Sequence, residues 1–259
     1  MKSVLRGVGA ATIALAFALP VSGQTLLRLA PPEGQVSRYV YSMEMTMENP
    51  MMPTSGPALS VRADQTLTIL GATDEGIRAR VAIDSAATTS AIPGAVLPDL
   101  SGTSLTVEMD PRGRLMNVAS DEPVGSPAGE VAQEFLEGAN FFWLPEAGVA
   151  AGDSWTDAVP VPISLGGPAQ TTEVEFTYTV TSLGDGQATI TFAGPVEATL
   201  DMGGMPAGIS GELNGSMVVD LAAGRYVRQE SMMTLEMAIG GMAMPMETTT
   251  TLELVTDPG

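Results

Sequence analysis

The sequence predicts a mainly all-β protein: a strongly curved antiparallel sheet or barrel of about ten strands, in two related halves with one central helix. Three observations lead there. Apolar residues recur with a period of two along most of the chain, short Asp- and Gly-bearing turns punctuate them, and one helical stripe sits between the halves.

Taken in order, residues 1–23 read as an export signal. Lys2 and Arg6 supply the positive start, Val8 to Leu19 the short apolar core, and Pro20-Val21-Ser22-Gly23 the small residues before cleavage at Gln24. That core is too short to span a bilayer comfortably, and no other stretch reaches the ~20 apolar residues a helix needs. With no Cys in the chain, a lipid-anchored cysteine is excluded. The expectation is an exported protein, periplasmic or extracellular and soluble after cleavage.

The first β half, 24–125, opens with Tyr39, Tyr41, Met43, Met45 and Met47 at alternating positions against Ser42, Glu44 and Thr46. This is the pattern of an antiparallel strand with one face in the core. Leu59, Val61, Ala63, Leu67 and Ile69 continue it. After the turn at 71–76 come Ile77, Ala79, Val81 and Ile83, then shorter runs at 104–109 and 115–119. The segment 126–145 reads as an aromatic helix with its body at 127–143. Ser126 is the N-cap, Pro127 the first turn, Val131, Phe135, Ala139 and Phe142 the stripe, and Pro145 the stop. Phe135, Phe141, Phe142, Trp143 and Trp155 crowd aromatic rings into this region, so the helix is either a plug for the open face of the sheet or a lid over an apolar cavity. The second β half, 146–259, carries runs at 172–181, 188–200, 215–221, 226–239 and 248–255, and the two halves are expected to form one domain.

The halves share phrases. Val107-Glu108-Met109-Asp110-Pro111-Arg112-Gly113-Arg114 parallels Val218-Val219-Asp220-Leu221-Ala222-Ala223-Gly224-Arg225, each preceded by a Pro- and Gly-bearing stretch at 97–102 and 205–211. The turn Asp74-Glu75-Gly76 parallels Gly184-Asp185-Gly186. Asp in these turns caps backbone amides and Gly takes the positive φ, so turn geometry explains them better than metal ligation.

Leu144-Pro145-Glu146-Ala147-Gly148-Val149-Ala150-Ala151-Gly152-Asp153-Ser154-Trp155, together with the Met- and Tyr-rich first strand and the turn at 107–115, resembles an uncharacterised family of exported bacterial envelope proteins. That resemblance brings no catalytic residues. In architecture the chain is also similar to periplasmic lipoprotein and lipid carriers of the LolA kind, which implies a greasy cavity closed by a helix.

Composition removes many chemistries. Beyond residue 23 there are 30 acidic side chains against nine arginines, a net charge of −21, which repels nucleic acid and anionic headgroups. That part of the chain has no His, Cys or Lys, so Ser-His-Asp and Cys-His triads, Schiff-base lysines, and His- or Cys-ligated zinc or haem are excluded. Glu173 and Glu175 read as the wet face of a strand backed by Val174 and Phe176. The protein is read as non-enzymatic and without a cofactor, with no nucleic-acid partner and no span of a membrane. A lipid or other apolar small molecule is the partner it suggests.

The methionines carry three readings. They fill a core poor in Leu and Phe. Alternatively Met43, Met45 and Met47, with Phe135, Phe142 and Trp143, line an apolar ligand cavity, since thioether chains adapt to varied ligands. In the third, Met242, Met244 and Met246 in a flexible loop beside Gly240-Gly241 gather Cu(I) or Ag(I), which soft thioethers select, with Met51 and Met52 nearby. The leading expectation is an apolar or amphiphilic ligand beneath the helix. Its rivals are Cu(I)/Ag(I) handling and a structural envelope role without a small ligand.

Overall fold

The structure is a computed structural model and describes residues 23–47, 56–91, 97–138, 142–163, 170–201, 206–239 and 242–255. Residues 1–22 of the segment read as an export signal, Met51, Met52, Ala139, Phe141, Met202, Met205, Gly240 and Gly241 lie outside the described residues. Among the described residues, eleven strands form a single antiparallel sheet. They are β1 (Val36–Met47), β2 (Leu59–Ala72), β3 (Ile77–Ser90), β4 (Ser104–Met109), β5 (Leu115–Ser120), β6 (Ser154–Ile163), β7 (Gln170–Gly184), β8 (Gln187–Asp201), β9 (Pro206–Asp220), β10 (Arg225–Ile239) and β11 (Met242–Leu254). Their spatial order is β5-β4-β3-β2-β1-β11-β10-β9-β8-β7-β6. The first and last strands therefore pair in the middle, while β5 and β6, consecutive in the chain, form the two edges. The sheet is strongly curved but not closed. Helix α1 (Pro127–Gly138) joins the two edges and packs against β4, β5 and β6.

The curvature has local causes. The register slips at Asp64/Gln65 and Ile69/Gly71 between β2 and β3, at Glu108/Met109 between β4 and β5, at Val180/Ser182 between β7 and β8, and at Tyr226/Arg228 between β9 and β10. Each bulge adds twist and bends its strand. Glycine lets rings into the concave side: a Cβ on Gly194 would sit 2.6 Å from the Phe176 ring, and one on Gly215 2.6 Å from the Phe192 ring.

Turn chemistry follows the sequence reading. Asp110 accepts from the amides of Arg112 and Arg114 at 2.9 and 3.0 Å, and Asp220 from those of Ala222 and Ala223 at 3.0 and 2.9 Å. Gly113 and Gly224 take φ of 89° and 61°. These two turns fall at β4–β5 and β9–β10. The other paired turns fall at β2–β3 and β7–β8 but differ in build: the Thr73 hydroxyl accepts from Glu75 and Gly76, whereas Asp185 and Gly186 both have positive φ, a two-residue hairpin turn.

Four elements differ from expectation. Strand β6 was not read from the sequence because Pro160 and Pro162 argue against a strand. It is an edge, and a residue lacking an N–H fits there at alternate positions facing away from the one neighbour. Strand β9 begins at Pro206, well before 215, because its Gly-rich start looked like loop. Strand β11 begins at Met242 instead of 248, so Met242, Met244 and Met246 sit in a paired strand and not in a flexible loop. Finally, α1 ends at Gly138. Phe142, Trp143 and Leu144 belong to a non-helical connector, consistent with Gly138 and Asn140, both poor helix continuers, preceding it. Ser126 is the N-cap as expected: its Oγ accepts from Gly129 N at 3.4 Å and its carbonyl from Glu130 N at 3.0 Å.

The concave side is packed unevenly. Over β6–β9 it is filled by rings. Phe142 meets Phe192 edge-on at 5.3 Å, Phe176 meets Phe192 at 5.6 Å, and Trp155 stacks on Tyr178 at 5.1 Å. Such pairs add about 0.5–1.5 kcal/mol each beyond the area they bury. Over β1–β5 the facing residues are mostly Val, Ala, Leu and Ile, smaller side chains that leave space beneath α1. Glu173 and Glu175 face solvent, with Val174 and Phe176 buried behind them.

Candidate functional site: an apolar cavity beneath α1

One end of the sheet is closed by two crossing segments. The strand-like bridge Thr25–Val149 ties the segment before β1 to the connector after α1, and Leu27 and Leu29 are buried beneath it. Arg28 donates to the carbonyls of Leu27, Pro145 and Glu146 at 2.6–2.7 Å. Arg112, in the β4–β5 turn, is buried and donates to the Leu144 carbonyl at 2.6 Å, to Glu146 at 3.0 Å and to Asp157 of β6. Its own carbonyl accepts from Leu144 N. One guanidinium thus links a turn, the connector and an edge strand. Arg114 lies over the Trp143 ring at 5.6 Å.

Above this floor, between α1 and the concave face, is a cavity of about 180 Å³. Val61, Ala63 and Leu67 of β2, Val81 and Ile83 of β3, and Leu105 and Val107 of β4 form its wall. Ala132, Phe135 and Leu136 of α1 cover it, and Phe142 and Tyr226 separate it from the ring cluster. No Asp, Glu, Arg or Lys lines it among the described residues. At about 24 cal/mol per Å³, a void of this size forgoes up to about 4 kcal/mol of packing, which an apolar occupant restores.

The tyrosines of the lining are held by hydrogen bonds. Tyr39 Oη donates to the Tyr226 carbonyl at 3.0 Å, Tyr226 Oη donates to the Phe142 carbonyl at 2.6 Å, and the Tyr41 hydroxyl is bonded to Thr250. Burial pushes the Tyr39 phenol up to about 12 and those of Tyr41 and Tyr226 higher still. The ring of Phe135 meets that of Tyr41 edge-on at 6.4 Å, a contact between α1 and β1.

Of the sequence-named candidates, Phe135 and Phe142 line the cavity. Trp143 does not; it is buried against Arg114 in the connector. Met43, Met45 and Met47 share the inward face with Tyr39 and Tyr41, but the cavity is bounded by the tyrosine end of β1 and not by the methionines. The alternation identified the face; which stretch of it meets α1 is set by where the helix docks. Val61, Ala63, Val81 and Ile83 were legible as inward positions, whereas Gln65, Tyr226, Gln229 and Thr250 carried no signal, being polar residues in strands that look amphipathic.

The methionines gather farther along the strands. Met47 is directly opposite Met246, Met244 opposite Met237, and Thr248 lies between Met45 and Met233. Met237 and Met246 are buried, Met45, Met47, Met233 and Met244 half-buried, and Met242 is exposed. Of these seven, all but Met242 pack on the core.

Comparison with known proteins gives two findings. Residues 129–225, from α1 to the start of β10, match DUF6263, a family of unknown function. A solved structure described as "Lipid-protein interactions in lipovitellin" shares the fold with a TM-score of 0.55 at 13% identity, over 87% of this chain. The chain spans 25% of that protein's length. No curated protein matches the sequence. Among the described residues no helix is long and apolar enough to cross a membrane. Neither match confirms the resemblance to envelope proteins, drawn from sequence phrases, or the likeness in architecture to LolA-type carriers.

Proposed function

We propose that this is an exported, non-enzymatic protein that binds an apolar or amphiphilic small molecule in the cavity between α1 and β1–β5. The observation that carries this reading is an uncharged, mostly aliphatic cavity roofed by a helix on an otherwise densely packed concave face. The likeness in fold to a structure described by its lipid–protein interactions supports it. At about 180 Å³ the cavity is below the ~300–1,000 Å³ of drug-sized sites, so it matches a short alkyl segment, and a larger ligand requires α1 to move outward. The test is binding of the neutral fluorophore N-phenyl-1-naphthylamine to the purified protein. Leu136→Trp, which fills the space, is expected to weaken binding at least tenfold, and Phe135→Ala, which opens it, to change affinity while the fold is kept. Unaltered binding in both variants places the fluorophore elsewhere and rejects the site.

A second reading is favoured by one observation: β1, β10 and β11 bring Met47, Met237, Met244 and Met246 into adjacent register positions on one face. Thioethers so placed suit Cu(I) or Ag(I). Here the set differs from the loop trio first expected, with Met237 and Met47 joining Met244 and Met246 in place of exposed Met242. Competition with a chelator under reducing conditions decides it. Stoichiometric Cu(I) binding lost in Met244→Leu/Met246→Leu supports the site; no binding, or binding retained in that variant, leaves these residues as packing.

A further inference from the structure

Two glutamines stand out in the cavity. Gln65 of β2 and Gln229 of β10 line it, and neither side-chain amide has a hydrogen-bond partner among the described residues. Every other hydrogen-bonding side chain of the lining already has a protein partner, the tyrosines through the bonds described above and Thr250 through Tyr41. Gln229 lies opposite Leu252, which lies opposite Tyr41, and Gln65 lies opposite Tyr39. Both amides therefore occupy the level of the Tyr39–Tyr41 step, about 7 Å of strand, on either side of the β11–β1 pair.

Building on the cavity reading above, the geometry points to an uncharged amphiphile as ligand: an alkyl chain ending in a hydroxyl, ester or amide group received by Gln65 or Gln229. A primary amide offers two donors and an acceptor, and each of these half-buried glutamines has that capacity open to such a group. A charged head is disfavoured twice. Among the described residues no cationic side chain lines the cavity to balance a carboxylate or phosphate, and no carboxylate lines it to balance an ammonium. For anions the net charge of −21 over residues 24–259, thirty acids against nine arginines, adds repulsion from outside.

The experiment displaces bound N-phenyl-1-naphthylamine with octan-1-ol, octanoate at pH 8 and 1-chlorooctane, on wild type and on Gln65→Leu/Gln229→Leu. The expected result is half-displacement of wild type by octan-1-ol at a concentration at least tenfold below that of octanoate. The double variant loses at least fivefold in affinity for octan-1-ol, while fluorophore and 1-chlorooctane stay within twofold. Each single variant shows part of that loss, which keeps the test valid if the double variant folds poorly. Octanoate displacing as well as octan-1-ol, or equal changes for octan-1-ol and 1-chlorooctane, overturns the inference and leaves an unselective apolar cavity. Absence of fluorophore binding to wild type is a different failure: it overturns the cavity reading itself and this inference with it.

Discussion

Arg112 has a side chain only 7% exposed and meets three acceptors from two segments, the Leu144 carbonyl and Glu146 of the connector and Asp157 of β6. Glu146 is 80% exposed and contributes little, since solvent screens it. Asp157, at 20% exposed, and the Leu144 carbonyl are the partners that suffer if the guanidinium goes. Breaking one side of a buried pair typically costs 3–5 kcal/mol. Arg112→Met is therefore expected to lower unfolding free energy by about 3 kcal/mol in urea titration. Arg80→Ala, which removes a 53% exposed partner of Asp121, is expected to cost less than about 1 kcal/mol. Equal effects in the two variants would deny Arg112 its linking role. The signal for this was present in the sequence only as a turn, "Asp-Pro-Arg-Gly-Arg", with nothing to say that its first arginine turns inward.

Helix α1 is twelve residues long and depends on tertiary contacts, because helices of that length are marginal on their own. Its hold has two identifiable parts, the Ser126 cap and the inward trio Ala132, Phe135 and Leu136. Ser126→Ala is expected to cost about 1 kcal/mol. If the helix opens as a unit apart from the sheet, that loss is read in its amides alone: hydrogen exchange in α1 rises about fivefold while β7–β9 amides are unchanged. A uniform increase across the molecule would instead make α1 part of the global unfolding unit and not a separable cover. The helix was legible from Ser126, Pro127 and the spacing of Val131 and Phe135. Its end was not, because Phe142 keeps the helical spacing while lying in the connector, where Tyr226 and Phe192 hold it.

Of the four tyrosines, all that the chain has, Tyr39 and Tyr178 are buried and Tyr41 and Tyr226 half-buried, and each phenol is shifted upward chiefly by desolvation. Unfolded tyrosine titrates near 10, so above that pH the unfolded chain releases protons that the folded one retains, and stability falls as pH rises. Below 10 this contribution is fully present. The loss is about 1.4 kcal/mol per pH unit for each tyrosine kept protonated. Tyrosinate absorbance is thus expected to stay flat through pH 10–11 and then rise in one step together with loss of β-sheet circular dichroism. A separate phase near pH 10 with the sheet intact would show at least one phenol exposed.

How much of this was legible follows from the range of each interaction. Alternation along a strand, an Asp-capped turn and a Ser-Pro helix start depend on neighbours in the chain, so Tyr39–Met47, Asp110, Asp220 and Ser126 could be read directly. The pairing of β1 with β11, and with it the meeting of Met47 and Met246, depends on segments at opposite ends of the chain finding each other, and no local pattern encodes it. Glycine and proline mislead for the same reason: Pro160 is tolerated because β6 is an edge, and Gly215 is required because Phe192 lies across from it. The residues alone established an acidic, His- and Cys-free β chain with one aromatic segment. The folded chain decided that rings would fill one half of the concave face and that aliphatic side chains would leave a cavity in the other. The reason is volume: a cavity is what remains after packing, and packing is a property of the assembled sheet and helix together.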